Sequence, residues 1–486
     1  MHFNKLRNYL EKIEEINYLI KVLEWEINTT LPSSSFEYAT NLKNVYEEKL
    51  YELKISKEYK DILKEVLASK DFTKLREPKK RYILTLERDY KILKKVPKVF
   101  YLDFKKLKDA SSNAWLKAKK ENDYNIFKPY LKKIIKYSTK YYKYVYPNSN
   151  VYDSMLSSYE EGLNTKVLDN LFDDLKKEIL PLIKKQQKKN IKKVKFTLND
   201  NTLLDVSKYL LDYINLDTSK CALGIFAHGY TAKFNNKEVR IAFPKTDNII
   251  DHFLTVIHEG GHALYELNIA NELKNFPFYE INKNAIHESI SRFYENTLAR
   301  NKNFWLPIYN DIKKITKINL SLNELIKHLN YSRPSMIRTR ADELTYPIHI
   351  IIRYEIEKEI FNGKININDL PNIWNKKYKE YLGIEPQNDS EGILQDIHWS
   401  DASFGYFPSY LAGTIFDAML LAKLEEELGS IDELLKKNNV KEITAYLTNS
   451  IFKYGSTYNI NELSNRICKK NLEVESLINY YKKKYE

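Results

Sequence analysis

The chain has 486 residues, of which 43% are hydrophobic and 29% are charged, so it can bury a sizeable core. Only 12 glycines and 14 prolines are present, a balance that favours long helices over a turn-rich all-β fold. The net charge is +13, from 78 Lys and Arg against 65 Asp and Glu. The lysines are scattered along predicted helices as solvated faces, so we expect no nucleic-acid partner.

Cysteine usage and apolar segments bear on the location of the protein. Cys221 and Cys468 lie far apart and form no CxxC pair, which indicates reduced thiols and no cysteine-based metal site. The N-terminal sequence MHFNKLRNYLEKIEEIN lacks the apolar region of a signal peptide. No apolar run reaches the roughly 18 residues of a membrane span. We predict a cytoplasmic protein without a membrane segment.

The chain begins with a long series of predicted amphipathic helices over residues 3–130. The apolar residues Leu6, Leu10, Ile13 and Ile16 recur every three or four positions, as one face of a helix requires. Turn-forming sequences interrupt the pattern at residues 29–35, 77–79 and 146–149. Helical spacing resumes across residues 167–180, which makes the N-terminal part of the chain helical.

The pattern changes between residues 194 and 243. Two short alternating segments, 194–198 (VKFTL) and 239–243 (VRIAF), are bounded by turn-forming residues and predict a small β element. Helical spacing returns from residue 248, and we find no internal repeat or flexible linker. The prediction is one large, mainly α domain over 1–486. It would have a helical part over about 1–190, the β element over about 194–243 and a second helical part over about 248–486.

The sequence HEGGH at residues 258–262 lies on a predicted helix over 248–266 and fits the H-E-x-x-H pattern. Residues four apart share a helix face, so His258 and His262 can bind one ion. Glu259 is one step round the helix and can reach a metal-bound water without binding the metal. The motif therefore predicts a metallopeptidase with two histidine ligands and Glu259 as general base.

Two glycines lie in the interior of the predicted helix that carries HEGGH, where they lower the stability of the helix. Gly260 and Gly261 each destabilise a helix by on the order of 1 kcal/mol relative to Ala. We expect close approach of substrate or of a packed backbone to offset this cost. The alternative is a helix break, which would ruin the ligand spacing.

A catalytic zinc usually has three protein ligands and one position for water. The third histidine of metzincins is missing, because Asn268 stands six residues after His262. A carboxylate from the next predicted helix, over 285–300, is therefore expected. That helix offers Glu288 and Glu295, and the spacing leaves both open.

Several further motifs follow one another along nearly the whole chain. They are residues 23–32 (LEWEINTTLP), 152–165 (YDSMLSSYEEGLNT), 287–289 (HES), 337–343 (IRTRADE), 392–399 (GILQDIHW) and 404–410 (FGYFPSY). Together with HEGGH they resemble, in order, the carboxypeptidase Taq family of zinc metallocarboxypeptidases. The resemblance implies a mainly α fold of the HEXXH zincin type with a deep active-site groove, usually as a homodimer. It also implies that Glu288 of the HES motif is the third zinc ligand.

The resemblance implies that single residues are removed from the C-termini of peptides, with broad specificity and little tolerance of C-terminal Pro. Zn²⁺ is the expected cofactor, and Co²⁺ or Mn²⁺ can occupy the same ligands. Tyr406 and Tyr410 are candidates to stabilise the oxyanion, because a tyrosine hydroxyl can donate without competing for zinc. His228, in the segment that resembles H-P-F, is a further candidate catalytic residue.

A carboxypeptidase must also recognise a free carboxylate, for which the arginine fork is suited. Arg338 is the better candidate and Arg240 the second, and His398 is expected to bind the substrate main chain. The alternatives are that Arg338 pairs with a neighbouring acid, that the tyrosines belong to the core and that His398 is structural.

Three segments depart from the family pattern. Residues 228–230 are HGY in place of H-P-F, residues 238–242 are EVRIA in place of D-x-R-x-T, and residues 287–290 are HESI in place of HESQ. No proposed zinc ligand is altered, so we expect hydrolysis to be kept and substrate preference to differ.

Three other functions compete with a carboxypeptidase. An endopeptidase or oligopeptidase would use the same zinc site and accept a C-terminally amidated peptide. A non-catalytic helical binding protein would hold zinc without turnover. A basic nucleic-acid-binding module would show affinity that falls steeply with salt.

Overall fold

A computed structural model describes residues 2–187, 196–226, 229–274 and 284–486 of the chain. The helices before the sheet are α1 (His2–Asn28), α2 (Phe36–Ile55), α3 (Lys57–Leu67), α4 (Lys70–Thr73), α5 (Glu77–Lys95), α6 (Lys98–Glu121), α7 (Tyr124–Val145), α8 (Val151–Tyr159), α9 (Thr165–Gln186) and α10 (Asp200–Tyr213). The predicted mainly α fold with a minor sheet is confirmed.

The helices after the sheet carry the sequence motifs. They are α11 (Ile249–Leu267), α12 (Asn271–Lys274), α13 (Asn284–Arg292), α14 (Lys302–Trp305), α15 (Tyr309–Thr316), α16 (Leu322–Leu329), α17 (Tyr346–Phe361), α18 (Leu370–Leu382), α19 (Tyr406–Leu428), α20 (Ile431–Lys436), α21 (Val440–Ser450), α22 (Ile460–Cys468) and α23 (Glu475–Tyr485). Short 3-10 turns occupy Ser33–Ser35, Thr218–Lys220, Arg338–Arg340, Ile367–Asp369 and Phe452–Thr457. None of the described helices is both long and apolar enough to cross a membrane.

The sheet has three strands, β1 (Cys221–Phe226), β2 (Tyr230–Asn235) and β3 (Glu238–Pro244). Their order is β1-β3-β2, with β1 parallel and β2 antiparallel to β3. The segment predicted at 239–243 lies in β3. Of the segment predicted at 194–198, Val194 and Lys195 lie outside the described residues, and Phe196 forms an isolated bridge with Asn248.

The helices form where the apolar spacing predicts them, and their apolar faces are buried. Leu6, Leu10 and Ile13 of α1 are fully buried against α3 and α5 in a cluster of their own. A much larger continuous core joins α6 to α10 with the sheet and all the longer C-terminal helices. Helix α11 runs through this core. The motif it carries is therefore held by packing on several sides.

The predicted helix over 285–300 changes its winding halfway. After α13 the chain continues as a π-helix over Phe293–Leu298, in which hydrogen bonds join residues five apart. The amide of Ala299 accordingly donates to the carbonyl of Tyr294 at 2.9 Å. Residues five apart therefore share a face in this segment, which an α-helix does not allow.

Two glycines hold α13 tightly between α11 and α19. A Cβ on Gly261 of α11 would come within 2.8 Å of the Cα of Ser291, and a Cβ on Gly413 of α19 would overlap the carbonyl oxygen of Ala285. Both obstacles are backbone atoms, which cannot move aside as a side chain can. Helix α11 is continuous through its glycines, so close backbone packing accounts for Gly261.

We predict that Gly261→Ala destabilises the fold by about 1–3 kcal/mol, because the added methyl group overpacks a backbone contact. Gly260→Ala is the matched control, since its methyl group would meet only the tips of Leu211 and Ile214. There the gain in helix propensity offsets the crowding. Urea unfolding measures both variants. Equal effects of the two substitutions would contradict the backbone explanation.

His252 of α11 predicts a second property of the fold, its stability at acid pH. The ring is fully buried, 2.9 Å from the hydroxyl of Ser207, and burial lowers the pKa of His252 to about 4. The unfolded chain therefore takes up this proton at a higher pH than the folded chain. Its contribution to stability is complete above about pH 6.5 and is lost as the pH falls towards 4.

We expect His252→Gln to remove this part of the pH dependence, which amounts to at most about 3 kcal/mol. The measurement is the free energy of unfolding of both proteins at pH 7 and pH 4.5. Comparing the pH slopes cancels any loss that the substitution causes at all pH values. An unchanged slope in the variant would show that His252 is not held neutral by the fold.

Candidate metal centre and active site

His258 and His262 of α11 and Glu288 of α13 form a cluster of three candidate metal ligands. The Nε2 atoms of His258 and His262 lie 3.8 and 3.6 Å from Oε2 of Glu288. Tetrahedral zinc with bonds of 2.0–2.2 Å places its ligand atoms about 3.4 Å apart. Within the described ranges, this is the one group of three His, Cys, Asp or Glu ligand atoms that lie within 4.8 Å of one another. The donors and their spacing therefore fit a divalent metal.

Glu295, the carboxylate that the spacing left open as a ligand, contacts the other nitrogen of His258. Its Oε2 lies 2.9 Å from Nδ1 of His258. Arg292 links the two acids, because its Nε donates to Glu288 at 2.9 Å and its Nη1 to Glu295 at 3.1 Å. Burial opposes ionisation, but Arg292 and His258 outweigh it and hold the pKa of Glu295 well below its usual range. Glu295 therefore stays charged and orients the ring of His258.

His262 has a different neighbour on its Nδ1 atom, the ring of His287. Nδ1 of His262 and Nδ1 of His287 are in hydrogen-bond contact, and Nε2 of His287 lies 3.2 Å from Oε1 of Glu266. If Nδ1 of His262 donates, Nε2 of His287 donates in turn to the carboxylate. Both candidate histidine ligands then present an unprotonated Nε2 to the same point.

Glu259 is buried beside the ligand cluster without belonging to it. Its Oε2 accepts a hydrogen bond of 2.6 Å from the hydroxyl of Thr231 on β2. Burial raises the pKa of Glu259, although His258 and the Thr231 hydroxyl act in the opposite direction. A raised pKa makes a carboxylate a stronger base, as a general base requires.

Tyr406 and Tyr410 lie one turn apart at the start of α19, and their hydroxyls contact each other. Burial raises the pKa of Tyr406 to about 12 and holds that of Tyr410 well above its usual value. The charge of Glu288 also raises the pKa of both tyrosines. Both side chains therefore lie near the cluster of candidate metal ligands. One hydroxyl donates to the other, which leaves the second proton free to point at a substrate.

The guanidinium of Arg338 is buried in a polar cluster and lies close enough to Tyr410 to interact with it electrostatically. It makes two hydrogen bonds to Asp396, of 2.8 and 3.0 Å, and Nη1 donates to Tyr346. Asp396 also accepts from Arg353 at 2.9 Å. Arg338 therefore pairs with an acid, although not with one adjacent in sequence. Two guanidiniums share the carboxylate of Asp396, and Arg353 also lies within electrostatic reach of the buried carboxyl of Glu357, one turn along α17.

His398 lies between this cluster and the tyrosines. Its ring stacks on Tyr406 with centroids 5.4 Å apart. Burial lowers the pKa of His398 to about 3, against the pull of Asp396, so the ring is neutral. Nδ1 is buried and has no hydrogen-bond partner among the described residues, with Asp396 still 3.7 Å away.

One predicted site residue, Arg240, is not brought to the cluster. Arg240 of β3 is paired in register with Ala232 of β2, so it lies on the opposite face of the sheet from Thr231. There its guanidinium stacks on Phe234 at 3.8 Å and pairs with Glu238. His228 lies outside the described residues.

The residues around the centre that sequence reasoning missed include Thr231, His287 and Asp396. His287 and Asp396 both stand inside motifs that were recognised for other residues, which was the available signal. Thr231 directly follows the altered segment 228–230, and its only local signal was strand alternation. All three contact the site from elements distant in sequence, which spacing along one helix cannot reveal.

We predict that Glu295→Gln weakens zinc binding by about 10–100-fold, because an uncharged amide orients and polarises His258 less well. Competition with a chromogenic chelator measures this affinity. Glu355→Gln is the control, since Glu355 is a half-buried carboxylate paired with Lys176 and Lys377. Unchanged zinc affinity in the Glu295 variant would mean that His258 is oriented by the fold alone.

Comparisons with known proteins agree with this geometry. A family model described as carboxypeptidase Taq (M32) metallopeptidase matches residues 5–485. Carboxypeptidase 1 of Bacillus subtilis is 34% identical over 98% of this chain and 96% of its own length. Thermostable carboxypeptidase 1 of Pyrococcus furiosus is 29% identical over 98% and 96%. A solved structure of Pyrococcus furiosus carboxypeptidase superposes with a TM-score of 0.93 at 28% identity, covering 100% of this chain and 99% of that one. The chain therefore belongs to the carboxypeptidase Taq (M32) family and is a metallocarboxypeptidase.

Proposed function

We propose that the protein uses Zn²⁺, held by His258, His262 and Glu288, to release single residues from peptide C-termini. The observation that carries the proposal is that one ligand atom from each of these residues lies within 4.8 Å of the others, with Oε2 of Glu288 3.8 and 3.6 Å from the two Nε2 atoms. A set of two histidines and one glutamate is typical of catalytic zinc. The same ligands accept Co²⁺ or Mn²⁺.

When bound, the metal would polarise the scissile carbonyl and lower the pKa of water. The protein's own residues would do the rest. Glu259 takes the proton of the attacking water and returns it to the leaving amine, with one carboxylate oxygen fixed by Thr231. Tyr410 or Tyr406 donates to the oxyanion, since both hydroxyls stay protonated and one of the two protons is free.

The substrate carboxylate is assigned to the cluster of Arg338, Arg353 and Asp396. The forked donors of two guanidiniums, both bonded to Asp396, suit recognition of a carboxylate better than of an amide. His398 offers a neutral ring with an unpartnered Nδ1, which suits hydrogen bonding to the peptide main chain. Arg240 takes no part in this proposal, because it faces away from Glu259.

A cavity of about 850 Å³ offers room for the part of the peptide that precedes the scissile bond. It lies among α5, α7 and α8 and reaches Asn284, one turn before Glu288 on α13. Its wall residue Tyr159 packs on Tyr406 with ring centroids 5.2 Å apart. None of the three candidate ligands lines this cavity, so its proposed link to the site is the contact between Tyr159 and Tyr406 alone.

The resemblance to the family extends the proposal in three respects. Specificity would be broad and C-terminal Pro would be a poor substrate. The protein would act as a homodimer, which size-exclusion chromatography with light scattering can check. It would work in the cytoplasm.

The test compares an N-blocked peptide with its C-terminal amide in the presence of zinc. We expect C-terminal residues to be lost one at a time from the free acid alone. Mass spectrometry of the remaining peptide measures this loss. Glu259→Gln should lower kcat by about 10²–10⁴-fold while zinc still binds, because only the proton acceptor is lost. Asp251→Asn, an exposed carboxylate on the same helix, is the control.

The other outcomes separate the competing functions. Equal cleavage of acid and amide would indicate an oligopeptidase, and bound zinc without any turnover would indicate a binding protein. Full activity of Glu259→Gln would remove Glu259 from the mechanism.

A further inference from the structure

Strand β2 lies along α11 with matching polar positions on the two elements. Thr231 and Lys233 are two apart on the strand and so point to the same face. Glu259 and Glu266 are seven apart on the helix and so share a face. Thr231 reaches Glu259 at 2.6 Å, and Nζ of Lys233 reaches Oε2 of Glu266 at 3.4 Å. One strand face therefore contacts the helix at both ends of its catalytic motif.

The contact with Thr231 fixes one oxygen of the Glu259 carboxylate. The hydroxyl lies 2.6 Å from Oε2 and 3.1 Å from the carbonyl oxygen of Glu259, so it is held against both the side chain and the backbone of this residue. The other carboxylate oxygen, Oε1, would be the one that accepts the proton of the attacking water. Without the hydroxyl, the carboxylate could rotate between orientations.

The contact with Lys233 reaches a metal ligand through two intermediates. The ammonium of Lys233 and the ring of His287 both contact the carboxylate of Glu266. Lys233 and His287 lower the pKa of Glu266 to about 2 although burial acts against them. His287 in turn contacts Nδ1 of His262. Side-chain exposures of 10% for Lys233 and 11% for Glu266 show that this connection is shielded from water.

We propose that the face of β2 that carries Thr231 and Lys233 positions both the general base and one metal ligand. Thr231 sets the orientation of Glu259, and Lys233 sets that of His262 through Glu266 and His287. The proposal rests on the proposed function, in its first half on the role of Glu259 as base and in its second half on the role of His262 as ligand. Both residues are positioning residues, since neither reaches the reacting atoms.

Thr231 is tested by Thr231→Val, which keeps the shape of the side chain and removes the hydroxyl. We expect kcat to fall by about 10–100-fold with KM and zinc affinity unchanged, because substrate and metal contacts are left intact. Thr231→Ser should restore most of kcat. Thr255→Val is the matched control, since Thr255 lies one turn before Glu259 and its hydroxyl bonds to the carbonyl of Asp251.

Lys233 is tested by Lys233→Met, which keeps the length of the side chain and removes the charge. We expect zinc affinity, measured by chelator competition, to fall by about 10-fold, while kcat at saturating zinc stays near that of the wild type. Lys237→Met, on the exposed turn after the same strand, should leave both quantities unchanged. Thr231→Val is expected to change kcat and not zinc affinity, whereas Lys233→Met is expected to change zinc affinity and not kcat. The two variants therefore distinguish orientation of the base from orientation of the ligand.

A purely structural role would show itself in a different pattern. If Thr231→Val lowers kcat no more than Thr255→Val does, or if Thr231→Ser fails to restore it, the first half is wrong. If Lys233→Met binds zinc as tightly as the wild type, the second half is wrong. A wild-type protein without peptidase activity would refute the proposed function, and the zinc measurement would still test the second half.

Discussion

The closeness of three helices is the constraint on which the rest of the site depends. Helix α13 lies between α11 and α19, and at each contact a glycine, Gly261 or Gly413, lets a backbone approach where any side chain would collide. This spacing sets how far Glu288 stands from His258 and His262. It also sets how close Tyr406 and Tyr410 of α19 come to these three residues. Gly261 and Gly413 each weaken the helix that contains them, but they allow the three helices to pack this closely.

Close packing buries charges, and around the metal-ligand cluster buried charges are paired with one another. An ion removed from water costs several kcal/mol unless its partners are well placed. Arg292 satisfies this need by joining Glu288 and Glu295 and by stacking on Tyr346 at 4.2 Å. The same principle gives a different result at Asp396, where two arginines face one acid.

Much of the fold and the centre of the site could be predicted from the sequence. Apolar spacing identified the helices, and four-residue spacing in HEGGH placed His258 and His262 on one face. The third ligand could not be derived in this way. Glu288 and Glu295 are seven apart and share a face, so the choice between them rested on resemblance. In the structure Glu288 and Glu295 contact opposite nitrogens of His258, a distinction that depends on ring orientation and leaves no trace in spacing.

The residues that surround the site were harder to predict because they come from several elements. The fork of Arg338 was expected to pair with Asp342 or Glu343 if it paired at all, yet its partner Asp396 lies 58 residues away. Arg240 was chosen for its side chain, but its register on β3 turns it to the far face of the sheet. Strand direction and register are tertiary facts, and local pattern does not encode them.

The π-helix over Phe293–Leu298 has an evolutionary consequence. Its winding brings Arg300 to the same face as Glu295, five residues earlier, so that the guanidinium lies 3.5 Å from the carboxylate behind His258. In a regular α-helix each residue turns the chain by about 100°, and these two residues would point apart. Such a turn differs from an α-helix by a single inserted residue. Loss of one codon here would therefore uncouple Arg300 from the metal centre while every proposed ligand and catalytic residue remained in the gene.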